Sequence, residues 1–453
     1  MLGSLFVHGE LDRATLTGNW KGLVLELYGE DHPLSEDAFK SVIRWGLERE
    51  LVTWGPSGRP RERHHVMRLS PLWGFAIGVV LGHQSIRCGL GDARGELVVD
   101  ADGPLLEGRA APQLEHSQPA QVFGMVAEMA SSLVERAKVD KHLIRGITVA
   151  LPAPVDLDGR LSSTRILRGL TSHEDLRPAV QDALAAIGLG DLAIDIDNDA
   201  NVAGVGEWWL RQRDDPPPTT LLVVKVSGGI GGALIEPAGR VLRGATGAAG
   251  ELGHLPADPE ILGDPLHGLP SLKPEAPCTR CGGHGHLESY ASAPAIADRV
   301  FGQNGSGDYG ERHRQLMAAL EAPDSVEHQA AVAAVRDAGT LLGRALIPVV
   351  EFVDPDLIVI AGRMRNAGET LTSSVDKALH HRDHIVSTKP PVVASQYGWS
   401  GVLGAIRNTL RNEPPPFDHE LAKSVLGPLL RDMRTGPSSW RAAAELLGPS
   451  RRP

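Results

Sequence analysis

The densest polar chemistry of this 453-residue chain lies in residues 250–288. The stretch opens Gly250-Glu251-Leu252-Gly253-His254 and passes through a Pro/Gly-rich loop. It closes with Cys278-Thr279-Arg280-Cys281-Gly282-Gly283-His284-Gly285-His286-Leu287-Glu288. Two of the chain's three cysteines sit here, with His284 and His286 just beyond. Thiolate and imidazole donors at this spacing suit a tetrahedral Zn²⁺ site. Gly282 and Gly283 let the backbone turn tightly enough for the later donors to fold back on one ion. A lone C-x-x-C is also the pattern of a redox pair, although no βαβ unit of the thioredoxin kind adjoins it.

A second constellation is Asp197-Asn198-Asp199-Ala200-Asn201. Asn198 and Asp199 stand where an expected strand meets a helix, the place where α/β sheets gather ligand groups. An amide and a carboxylate there suit neighbouring sugar hydroxyls, and Asp199 suits a general base. An equally simple reading is that Asp199 caps the helix. Glu251, His254 and Glu288 add two carboxylates and an imidazole. Such a set cages a polyhydroxylated ligand, because every hydroxyl needs both donors and acceptors. Glycine turns at 227–232 and after Ile360 allow backbone N–H groups to approach phosphates, although glycines also serve ordinary hairpins.

Groups of this kind need rigid elements beneath them, and the sequence reads as an α/β body. Segments 75–81 and 86–90 are apolar strands around a Gly82-His83-Gln84-Ser85 turn, with 96–99 as the next strand of a meander. Segment 119–136 places Val122, Val126, Met129 and Leu133 on one helical face. Further strands are expected at 146–151, 192–196, 221–226, 233–236 and 357–361. Helices are expected at 177–187, from Asp199 through Trp209, and at 330–350 and 401–410. Repetition of a hairpin-plus-helix unit predicts two packed lobes with a cleft between them over 71–410. Residues 411–453, set off by the Pro414-Pro415-Pro416 run, form a tail with one amphipathic segment at 419–431.

Composition sets the outer bounds. Hydrophobic residues make up 42% and charged residues 22%, as in a globular protein, and the length calls for two or three domains. No apolar run is long enough to span a bilayer and no signal peptide opens the chain. With so few cysteines, a disulfide framework is excluded and a cytoplasmic location is expected. The net charge of −11 argues against a nucleic-acid coat over the whole protein, while leaving room for a local patch.

Residues 1–70 could supply that patch. Helices are expected at 20–28 and 35–49, the second with Phe39, Val42, Ile43 and Leu47 in one stripe and Ser35 as N-cap. A strand, a Gly-Pro-Ser-Gly turn and a second strand follow, the plan of a winged helix-turn-helix. A helical cap with a solvated basic hairpin would give the same pattern. Lysines and arginines number nine against ten acids in this region, and the positive charge gathers at Arg59, Arg61, Arg63 and Arg68, where phosphate contacts could form.

Taken together, these motifs resemble the repressor–ORF–kinase (ROK) family of sugar kinases and sugar-responsive repressors. The similarity covers roughly 73–410 through LPAPVD, DNDANVAGVGE, SGGIGG, RGATGAAGELGH, CTRCGGHGHLE and DPDLIVIAG, in the family's order. The resemblance implies an actin-like (RNase H-like) two-lobed α/β fold, here preceded by a small N-terminal winged helix-turn-helix domain. It implies sugar contacts from Asn198, Asp199, Glu251, His254 and Glu288, with Asp199 in the position of the kinase members' base. It further implies structural zinc on His254, Cys278, Cys281 and His286, with His286 in the place of a third cysteine and His284 as the competing ligand. Arg59, Arg61 and Arg63 of the wing, and Lys40 and Arg44 of the helix before it, become the expected DNA contacts.

Departures from the family pattern separate kinase from regulator. The kinase members' D-x-G-G-T phosphate loop reads Val80-Leu81-Gly82-His83-Gln84 here. Valine cannot help to position Mg²⁺-ATP, and His83 and Gln84 stand where close phosphate approach is needed. Gly228 replaces a threonine in the second loop, the adenosine-side glycine pair reads Ala361-Gly362, and Ile166 stands where an asparagine is common. Phosphoryl transfer depends on positioning and charge neutralisation, so ATP is not expected as a cofactor and Asp199 is a vestigial base. The expected function is a sugar-responsive transcriptional regulator, a homodimer or higher homo-oligomer acting on operator DNA, with no membrane role. The competing readings are an ATP-dependent hexose kinase and a sugar sensor acting through protein partners.

Overall fold

The computed structural model describes residues 10–12, 44, 47, 52–56, 65–70, 74–83, 85–110, 117–162, 173–212, 214, 216–237, 239–257, 278, 281–302, 309–380 and 389–412. The helix expected at 20–28, most of that at 35–49, the wing arginines, Ile166 and the tail segment at 419–431 lie outside these residues. Arg44 and Leu47 are helical and exposed.

A small antiparallel sheet comes first. Strands β1 (Glu10–Asp12), β2 (Val52–Pro56) and β3 (His65–Leu69) run in the order β1-β3-β2. Val52 and Met67 are buried in it.

Two five-stranded sheets then carry the body. The first contains β4 (Phe75–Gly82), β5 (Ser85–Asp92), β8 (Leu106–Ala110), β9 (Ile144–Leu151) and β10 (Ala193–Asn198), in the order β10-β9-β4-β5-β8. The second contains β11 (Leu221–Val226), β12 (Ile230–Glu236), β13 (Arg240–Val241), β14 (Leu357–Ala361) and β15 (Val392–Ala394), in the order β13-β12-β11-β14-β15. In each sheet the first strand is central, antiparallel partners extend from one side and two parallel strands from the other. The two lobes therefore share one topology. Their central strands, FAIGVVLG and LLVVKV, are nearly continuous apolar runs because both faces are covered.

The expected strand at 96–99 is not formed as such. Leu97 makes one isolated bridge to Gly91, and the regular ribbon is β6 (Val99–Asp100) with β7 (Gly103–Pro104). Gly95, at φ 73°, turns the chain too sharply for pairing to begin earlier. The final third, expected to carry one strand, carries two, since β15 pairs with β14. In the other glycine turn, strand β12 begins at Ile230, three residues ahead of expectation.

Helices α1 (Pro119–Ala137) and α2 (Arg177–Ala185) cover the outer face of the first sheet, where Val122, Val126, Met129 and Leu133 join its core. The second core takes the short α4 (Glu288–Ala291), then α5 (Ala293–Phe301), α6 (Tyr309–Glu321), α7 (His328–Val353) and α8 (Gly368–Leu379). The remaining helices change sides. Helix α3 (Asp199–Arg211) follows the last strand of the first lobe, yet Trp208 and Trp209 pack with Leu221, Val223 and Ile235 of the second. Helix α9 (Ser400–Asn412) follows the last strand of the second lobe, yet Val402, Ile406 and Leu410 pack on Ala76 of the first. The two helices cross at glycines, where a Cβ on Gly206 would overlap Ser400 O and one on Gly404 would overlap Val202 O. No described helix is long and apolar enough to cross a membrane.

Candidate functional site

A cavity of about 540 Å³ opens between the lobes where the strands of both sheets end. On one side it is lined by Asn198, Asp199 and Glu251, and on the other by Val80, His83, Arg87, Arg363 and Arg365.

The junction of β10 and α3 is built for fixed polar groups. Asn198, not Asp199, caps the helix, which overturns the capping reading of Asp199. Its Oδ1 accepts from the N–H groups of Ala200 at 2.8 Å and Asn201 at 3.2 Å, and its Nδ2 donates to Ala153 O at 2.8 Å. Asp199 is thus free of capping duty and instead forms an ion pair with Lys225 of β11. Behind them Asp197, 1% exposed, receives Arg243 through both oxygens at 2.5 and 2.7 Å and Asn408 Nδ2 at 2.6 Å. Asp195, two residues earlier on β10, is pushed up to about 6 by burial and by the nearby charge of Asp197.

The Gly250–Glu251 segment enters at the same level. Gly250 adopts φ 92° and lies so close to Gly232 O that no side chain fits. Glu251 consequently reaches the cavity, while the 3₁₀ turn Leu252–His254 carries His254 away behind the wall. Glu288, 6% exposed, lies behind the wall too: its Oε2 accepts from Ile230 N–H at 3.2 Å and its Oε1 is 3.8 Å from Cys278 Sγ. Of the five expected sugar groups, three line the cavity and two stand behind it.

His254, Cys278, Cys281 and His286 converge, with one ligand atom from each lying within 4.8 Å of the others. His254 Nδ1 and His286 Nδ1 are 3.3 Å apart, Cys281 Sγ is 3.4 Å from His286 Nδ1, and Cys278 Sγ is 3.9 Å from His254 Nδ1. Tetrahedral zinc with bonds of ~2.0–2.1 Å to nitrogen and ~2.3 Å to sulfur separates its donors by roughly 3.3–3.8 Å. The four residues therefore fit a metal ion, and His284 is not among them. His254 turns its other nitrogen toward Glu251, Nε2 to Oε2 at 3.8 Å, so one imidazole links the cluster to the cavity.

At the opposite end Val80 lies near the end of β4, directly across the ladder from Arg87 of β5. Arg87 donates to Gly398 O at 2.9 Å and lies over the Trp399 ring at 5.5 Å. The His83 ring covers Gly228, where an added Cβ would come within 2.7 Å of it. Arg363 and Arg365 lie in the 3₁₀ turn after β14, with Arg363 N–H donating to Ser227 Oγ at 3.0 Å. His313 of α6 faces the same space and is pushed down to about 4 by burial and by Arg363 and Arg314.

Lys40, Arg59, Arg61 and Arg63 lie outside the described residues, and Arg44 is exposed. Sequence reasoning missed Lys225, Arg87, Arg363 and the Asp197–Arg243 pair. The signal for two of them was present as a single cation inside an apolar strand, Lys225 in LLVVKV and Arg87 in SIRCGL.

Residues 76–410 match the ROK family. The DNA-binding transcriptional dual regulator NagC of Escherichia coli K12 is 25% identical over 375 residues, covering 81% of this chain and 82% of NagC. A glucokinase of Halalkalibacterium halodurans is 31% identical over 196 residues, but this match takes in 41% of the chain and spans only about half of the glucokinase, 53%. Among solved structures, a ROK family transcriptional regulator, a homologue of the E. coli MLC protein, superposes with a TM-score of 0.61 at 19% identity. It covers 92% of this chain and 94% of its own.

Proposed function

The chain belongs to the ROK family, and from that premise we propose that it is a sugar-responsive transcriptional regulator. Residues 1–70 bind operator DNA, 71–410 bind a sugar or sugar derivative in the cleft, and 411–453 form a tail. The observation that carries this reading is the reach of the NagC match. Its 81% of the chain is more than residues 76–410 contain, so the similarity runs beyond the family core. The three-stranded sheet of β1, β3 and β2 has the arrangement of a wing, with Arg59, Arg61 and Arg63 in the connection between β2 and β3. Lys40 and Arg44 precede it as helix contacts to phosphate.

Asn198, Asp199 and Glu251 hold sugar hydroxyls, and His254 and Glu288 support them from behind. Zinc on His254, Cys278, Cys281 and His286 fixes the orientation of His254, and through it Glu251. Bound ligand changes the angle between the lobes and thereby the spacing of two DNA-binding domains in a homodimer. The protein works in the cytoplasm. Phosphoryl transfer is not its task. Val80 offers no carboxylate to a metal-bound nucleotide, His83 lies over the second phosphate loop, and Lys225 already holds the Asp199 carboxylate that would take the hydroxyl proton. A kinase reading draws on the retained Asp199 and the glucokinase match.

A gel shift with the protein's own promoter region at stated salt, with and without a panel of hexoses and N-acetylhexosamines, tests the regulator. Specific retardation altered by one sugar is expected, and no specific retardation would favour a sensor acting through protein partners. ADP release at ordinary kinase rates, on the order of 1–100 s⁻¹, would sink the non-catalytic assignment.

A further inference from the structure

Where the kinase pattern places a carboxylate, this cleft gathers guanidinium groups. Val80 and Arg87 form a directly opposed pair on β4 and β5, so an aliphatic group and a guanidinium share the spot where a metal-positioning carboxylate is expected. Arg363 and Arg365 approach from the other lobe. Arg363 Nη2 reaches Ser85 Oγ at 3.4 Å across the cleft, and Arg365 Nη1 donates to Ser395 O at 3.4 Å. Only two carboxylates are among the described lining residues, Asp199 and Glu251. Lys225 holds the first, and the second lies at the sugar end. Arg365 also faces the buried Glu207, which is held by Ser395 and Arg211.

Three guanidinium groups in one partly desolvated cleft repel each other. Arg87 shows the consequence: burial first, then Arg363 and Arg365, hold its pKa below the usual arginine range. An anion between them would relieve that repulsion. Guanidinium forks match phosphate oxygens two at a time, and they need no divalent metal to neutralise the charge.

We propose that Arg87, Arg363 and Arg365 form a metal-independent phosphate site, and that the effector is a phosphorylated sugar spanning the cleft from these arginines to Asn198 and Glu251. This rests on the sugar-binding reading above and names the ligand class for it. The cavity of about 540 Å³ accommodates a hexose phosphate end to end. The cover of His83 over Gly228 leaves the arginines, not the glycine loop, to take the phosphate.

Calorimetric titration of the full chain in Mg²⁺-free buffer tests the proposal with four probes: inorganic phosphate, parent hexoses and N-acetylhexosamines, their 6-phosphates, and ATP with or without Mg²⁺. One 6-phosphate is expected to bind at least about tenfold more tightly than its parent sugar, as a charge-assisted contact provides. Arg87→Met and Arg363→Met should each remove about tenfold or more of that affinity and leave the parent sugar's unchanged. An equal loss of affinity for the parent sugar and its 6-phosphate in these variants would mean that the arginines act only on the structure, and overturns the proposal. Equal affinity for phosphorylated and parent sugars overturns the proposal and leaves the sugar reading intact. A response to inorganic phosphate but to no sugar or sugar phosphate removes the sugar reading, and with it this ligand class. Tight binding of ATP alone, dependent on Mg²⁺, overturns the proposal in favour of a nucleotide.

Discussion

The two ends of the cleft stand on the same scaffold and have opposite chemistry. At one end Asn198, Asp199 and Glu251 are fixed by a helix cap, an ion pair and a constrained glycine, with a His/Cys cluster behind them. At the other, Val80, His83 and Arg87 occupy the matching strand ends of the first lobe. Both ends draw on both lobes, Asn198 with Glu251 at one and Arg87 with Arg363 at the other, so topology alone does not explain the difference. It lies in a handful of side chains at or near the strand ends, Val80, His83 and Arg87 at one end of the cleft and Asn198, Asp199 and Glu251 at the other. Function on this fold can therefore be rewritten at one end with the other untouched.

The comparison breaks most easily at the His/Cys cluster. Chelation, or Cys278→Ala, should remove about one equivalent of zinc and cost more than about 5 kcal/mol of stability. Binding at the Asn198–Glu251 end should weaken far more than phosphate binding at the arginines; equal losses at both ends would end the distinction. Metal analysis beside titration decides it, and a retained equivalent of zinc would refute the ligand set.

Next comes the buried Asp197–Arg243 pair. Arg243→Ala should destabilise by about 3–5 kcal/mol in urea, because it leaves the Asp197 carboxylate buried beside Asp195. A loss under about 1 kcal/mol would mean that the pair is dispensable to the sugar end.

Asp195 supplies a pH test. Its folded pKa of about 6 lies above the ordinary 3.8, so its contribution is fully present below pH 3.8 and is lost as pH rises through 6. Asp195→Asn should match the unaltered protein near pH 4 and exceed it at pH 8 by on the order of 1–2 kcal/mol. A pH-independent difference would contradict the assignment. The smallest effect is expected for Asn198→Ala, about 1 kcal/mol from the lost cap. It should nonetheless lower sugar affinity and spare phosphate affinity, sharpening the contrast by titration.

Much of this was legible in sequence. Strands such as 146–151 and 357–361 announce themselves as apolar runs, and the Cys278–His286 spacing marks a His/Cys cluster able to hold a metal before any coordinates. Lys225 stands out as a lone cation in an apolar strand, but its pairing with Asp199 was not legible, since Asp199 opens a helix that follows the other sheet. Nor was the meeting of Arg87 with Arg363, which depends on how two sheets face each other. The short ribbon after Gly95 defeated strand reasoning because two-residue strands carry no periodicity. The sequence reading placed helices from Asp199 through Trp209 and at 401–410 but could not say which sheet they cover.

The exchange of those two helices also governs how the molecule is made. The inner face of β4 at Ala76 is completed by Ile406, about 330 residues later. At ribosomal speeds of ~5–20 residues per second, the first lobe waits roughly 15–65 s for its last helix. Neither lobe has a finished core without the other, so the body should melt in one cooperative transition, and its nascent first half is a natural client for chaperones.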